Sequence, residues 1–196
     1  MRRFGTALVV VALVATAAPA ALAAGGGRPL FQERFDDRFV EDPDPFPLDA
    51  CGVEVRTEFH FWGSFTLYPD MSARSHVNDH IVSSDPATGE VLLVERSSSN
   101  VFSEPAVEVF DEEAGTLTLM FEDTIRGVPL KWRVPGEGVV LLDAGTVTFN
   151  ATLVIDLATD EVISFEVTFS DLHGPHPSLT QPESETLDIF CEALGA

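Results

Sequence analysis

Residues 146–170 read TVTFNATLVIDLATDEVISFEVTFS. Val147, Phe149, Ala151, Leu153 and Ile155 alternate with Thr146, Thr148, Asn150 and Thr152. After Leu157 to Glu161, the residues Ile163, Phe165, Val167 and Phe169 alternate with Ser164, Glu166 and Thr168. A period of two places one apolar row on each strand, and the five-residue connection makes the pair an antiparallel hairpin.

The same rhythm extends outward. Val53, Val55, Thr57, Phe59 and Phe61 alternate with Glu54, Arg56, Glu58, His60 and Trp62, and Gly63 marks a bend or bulge. Polar residues 74–82 form another strand, followed by the turn Asp85-Pro86-Ala87-Thr88-Gly89 and a strand over 91–96. Further strands are expected over 106–110, 116–125 and 128–134. Three prolines in residues 41–47 read as an extended connector, and 173–185 as a Pro-rich loop. Residues 187–194 read as a last short strand or one helical turn.

About eight strands with short consecutive connections predict an all-β fold. The expected form is a single antiparallel up-and-down barrel, which removes free sheet edges, with a two-sheet sandwich as the alternative. An immunoglobulin-like arrangement is disfavoured by the spacing of 140 between the cysteines.

Residues 1–23 have the form of a secretory signal: Arg2 and Arg3, an apolar run, and Ala21-Leu22-Ala23 before the cut. Residues 24–196 then form a single β domain. The whole chain carries 32 acids against 11 Lys and Arg, a net charge of −21. Such a charge repels nucleic acid and anionic lipid, so neither is an expected partner, and no later apolar run suggests a membrane span. Export to an oxidising, extracellular space makes Cys51–Cys191 the expected disulfide.

The segment Phe35-Asp36-Asp37-Arg38-Phe39, the proline-rich connector, Cys51-Gly52-Val53-Glu54-Val55 and the Thr88-Gly89 turn resemble a group of small secreted actinobacterial β-proteins. The resemblance covers about residues 31–100. It implies secretion and a β fold, and it carries over no catalytic residue. The alanine-rich start and a single lysine, Lys131, also suit a GC-rich bacterium.

Local signatures of chemistry are few. There is no G-x-S-x-G elbow, no calcium loop of the D-x-D-x-D-G type and no phosphate-binding glycine loop. No cofactor is expected. His76 and His80 share a strand face about 13 Å apart by strand rise, too far for one metal ion. His173 and His176, with Asp171, are close enough in a loop to chelate, yet the expectation is of no metal. Fourteen of the 15 phenylalanines follow residue 23, against two Trp and one Tyr. That balance suits a packed core or an apolar cavity better than a glycan-binding surface.

Two functions follow from a barrel. The first is a non-enzymatic, lipocalin-like binder of a small apolar ligand. The second is a lumen enzyme of the isomerase or cyclase kind, like dirigent and allene oxide cyclase-like proteins. Arg56, Glu58 and His60, on one face of their strand, are the candidate lumen residues. A filled interior leaves a structural or protein-interaction role.

Overall fold

The structure, a computed structural model, describes residues 28–196. The expected signal segment lies outside the described residues. Eight strands follow one another: β1 (Phe31–Glu41), β2 (Arg56–Leu67), β3 (Ala73–Ser84), β4 (Val91–Ser103), β5 (Val107–Asp111), β6 (Thr116–Val134), β7 (Gly138–Asp156) and β8 (Val162–His173). Among the described residues three helices accompany them: α1 (Pro45–Cys51), α2 (Pro177–Thr180) and α3 (Glu183–Ala193). Among the described residues no helix is long and apolar enough to cross a membrane.

All neighbouring strands are antiparallel, in the order β1-β2-β3-β4-β6-β7-β8, with β5 beside β6. β4 and β5 flank the same side of β6, one after the other, around Glu104-Pro105-Ala106. The sheet is therefore an up-and-down meander, as expected, but it is not closed: β1 pairs with β2 and β8 with β7, leaving two edges. Charge protects β1, where Glu33, Arg34, Asp36, Asp37 and Arg38 discourage pairing with another chain.

Two expected strands, 116–125 and 128–134, are one. β6 runs unbroken through Pro129 because an extra residue is accommodated there. The register shifts against both neighbours, between Gly127 and Leu130 and opposite Glu95 to Ser98. A bulge is where a central strand tolerates proline, which has no N–H to donate. The bulge also exchanges the faces, so that Leu117 to Ile125 odd positions and Leu130 and Trp132 lie on one side.

Helices enter the expected connector and the expected loop, and α3 takes up residues expected as a short strand or one helical turn. Asp44 accepts a hydrogen bond from Phe46 N (3.0 Å), Pro45 opens α1, and Gly52 closes it at φ 72° with its N–H on Leu48 O. In α3, Leu187, Phe190, Cys191 and Leu194 recur at helical spacing, and Glu183 and Glu185 favour the positive N-terminus. The two helices cap one end of the sheet. Val55, Leu93, Trp132, Leu141, Phe190 and Leu194 form the buried cluster beneath them. The Phe190 ring packs at a tilt between Phe46 (5.5 Å) and Trp132 (5.3 Å). The disulfide Cys51–Cys191 joins α1 to α3 as expected, and no cysteine is free.

Candidate functional site

The strand registers divide the sheet into two faces. One carries Phe59 and Phe61 of β2, Leu117 and Leu119 of β6, and Val147, Phe149, Ala151 and Leu153 of β7. We call it the apolar face. A polar stripe crosses its centre on β3 and β4: Ser75, Asp79 and Ser83 opposite Leu93, Glu95, Ser97, Ser99 and Ser103.

The polar groups on this face are of two kinds. Some are paired: Thr57 with Ser83 (3.3 Å), and buried Asp143, which accepts from Ser178 N (3.2 Å) and the Ser178 hydroxyl. The latter pair fastens α2 to β7. Others are incompletely paired. Asp79 Oδ2 accepts from the Ser97 hydroxyl and Glu95 Oε2 from Trp132 Nε1 (2.7 Å). Asp79 Oδ1, Ser99 Oγ and Asp123 Oδ1 are buried without a partner among the described residues. Ser99 is 6% and Asp123 6% exposed, so water does not reach either freely. Leaving a buried acceptor unmatched costs about 1–3 kcal/mol, which makes three on one face unusual for simple packing.

Burial raises the carboxyls of this stripe above their ordinary range. Glu95 is pushed up to about 7 by burial first and the Asp79 charge second, with the Trp132 hydrogen bond opposing. Asp79 is raised by burial against the hydrogen bond from Ser97. Asp123 is raised by burial against Ser103. The Asp79 and Glu95 positions are diagonal neighbours across β3 and β4, where long side chains meet.

Aromatic rings flank the stripe. Phe61 lies directly opposite Asp79, and Phe39, Phe59 and Phe61 stack with centroids 4.6 to 6.1 Å apart. Gly63 keeps the strands close here: a Cβ would stand 1.9 Å from His76 O and 2.9 Å from the Phe35 ring. Towards the edges the apolar face opens, with Phe31 42%, Phe39 47%, Phe165 37% and Phe169 43% exposed.

Arg56, Glu58 and His60 do share one face, as their alternation requires, but it is the face opposite Thr57, Phe59 and Phe61. Arg56 is ion-paired with Glu58 and Asp42. His60 Nε2 meets Asp36 Oδ1 at 2.9 Å and its ring stacks on Trp62. His76 contacts Asn100 (3.2 Å) on the same face as His60. The His173 ring is exposed and paired with Asp171 (3.0 Å), whereas His176 is buried with Nε2 on His173 O (3.1 Å). Among the described residues no group of three or more potential ligands is arranged to hold a metal ion.

No family model, curated protein or solved structure matches this chain. The site therefore rests on its own geometry. Asp79, Glu95 and Ser99 carried no local motif. Their one signal was polarity at positions whose strand neighbours alternate apolar, such as Val77, Ile81, Leu93 and Val101.

Proposed function

We propose that the protein is an exported, non-enzymatic binder of a small, mainly apolar ligand bearing a hydroxyl or amine. The ligand lies on the apolar face, its donor group directed at Asp79, Glu95 and Ser99. A barrel-like curl of the open meander would enclose it. The observation that carries this reading is the set of unmatched acceptors, Asp79 Oδ1, Ser99 Oγ and Asp123 Oδ1, amid phenylalanine and aliphatic side chains. Apolar surroundings supply affinity, and a few placed polar atoms supply orientation. Carboxylates and hydroxyl oxygens that lack donors select a ligand that brings one. The disulfide and the resemblance to exported β-proteins support secretion.

A second reading, an acid–base enzyme, is favoured by Glu95 alone. A carboxyl near 7 beside a second carboxyl is poised to give and take protons at neutral pH. Native mass spectrometry of protein purified from its producing culture separates these readings. A co-purifying apolar alcohol or amine supports binding; release of an altered molecule, lost in Glu95→Gln, supports chemistry. Protein that carries only water on this face, and takes up no such ligand, overturns both.

A further inference from the structure

The opposite face holds an independent feature. Every strand Lys and Arg, from Arg34 to Arg133, occupies a position on this second face. In a chain with 32 acids and 11 Lys and Arg, that segregation concentrates a scarce charge. It is densest where His80 of β3 lies directly opposite Arg96 of β4 and Arg133 of β6 opposite Val94. These residues, with Pro135 and Gly136, line a surface depression of about 360 Å³. No acid lines it. The sequence neighbours Asp79 and Glu95 belong to the other face. Among the described residues neither Arg96 nor Arg133 forms an ion pair.

Among the described residues an acid-rich chain thus leaves both guanidinium groups without a carboxylate partner. Guanidinium groups match the oxygens of a tetrahedral oxyanion by paired N–H donors, and the imidazole adds a further donor. Pro135 and Gly136, in a turn closed by Glu137 N to Val134 O at 3.2 Å, form one wall of the depression. We propose that His80, Arg96 and Arg133 form a binding site for a small oxyanion of the phosphate or sulfate class. The site is separate from the ligand face and does not depend on it.

The experiment is titration of the isotopically labelled full chain with inorganic phosphate and, in parallel, glycerol phosphate, followed by NMR at constant ionic strength. The expected result is saturable shifts at His80, Arg96 and Gly136 with a Kd near 1 mM or tighter. Arg96→Gln and Arg133→Gln should each weaken binding about tenfold, while Arg34→Gln on the β1 edge leaves it unchanged. Both arginines are exposed, so these changes leave the fold intact. Tighter binding of glycerol phosphate identifies a phosphomonoester; tighter binding of inorganic phosphate identifies the free ion. Shifts that fail to saturate, or that survive in both variants, reflect general charge and overturn the proposal.

Discussion

Trp132 Nε1 donates a 2.7 Å hydrogen bond to Glu95 Oε2 across the β4–β6 pair. The bond ties the polar stripe to the helix-capped core, since the same indole packs at a tilt against Phe190. Trp132→Phe keeps most of the ring and removes the donor. The expected loss is about 1–3 kcal/mol in chemical denaturation, with a further rise in the Glu95 carboxyl. An unchanged midpoint would show that the bond does not hold Glu95.

The Glu95 carboxyl makes stability depend on pH. Its folded value, about 7, lies above the ordinary 4.5, so the folded protein holds the proton more tightly than the unfolded chain. That stabilisation is complete below 4.5 and is lost as pH rises through 7. Asp79 and Asp123, also raised, add in the same direction. Melting temperature should fall between about pH 5 and 8, and Glu95→Gln should flatten the fall. A profile that climbs over this range would contradict the burial of these groups.

The disulfide crosslinks the two helices that cap the sheet, and it spans 140 residues. Loop entropy assigns a crosslink of that span roughly 5 kcal/mol. Thiol titration of the unfolded, unreduced protein should find no free thiol, and Cys51→Ser with Cys191→Ser should lower the denaturation midpoint substantially. Two titratable thiols would refute the bond.

Much of this architecture was legible beforehand and some was not, for physical reasons. The β7–β8 hairpin was clear because β7 is buried on one face and exposed on the other, so its alternation is clean. β1 was missed because an exposed edge strand needs no apolar row, and its charges obscure Phe31, Phe35 and Phe39. The gap expected between residues 125 and 128 does not exist, because a bulge between Gly127 and Leu130 carries β6 across it. The helical spacing of Leu187, Phe190, Cys191 and Leu194 was present, but residues 187–194 alone did not separate one helical turn from a short strand. The alternation of β2 placed Arg56, Glu58 and His60 on one face, as the strand register has them, but a period of two does not say what that face meets. The incompletely paired stripe depends on four strands meeting, which no local pattern records.

Gly145 tests the packing of β7 on β8. Its φ is 126°, and a Cβ there would stand 1.9 Å from His173 O. Gly145→Ala should therefore cost more than about 2 kcal/mol, since both the backbone and the neighbouring strand must shift. Equal stability in denaturant would mean that the two strands do not approach so closely.

The central claim is that Asp79, Glu95 and Ser99, set in an apolar face, select a ligand that donates hydrogen bonds. The direct measurement is calorimetric titration of the full chain at neutral pH with a medium-length alkyl amine, the matching alcohol and the matching carboxylate. A carboxylate ligand would place another acceptor beside Asp79, Glu95 and Asp123. The account predicts that the amine and the alcohol bind at least about tenfold more tightly than the carboxylate, a difference of about 1.4 kcal/mol, and that Asp79→Leu removes the preference. Equal or tighter binding of the carboxylate would contradict it.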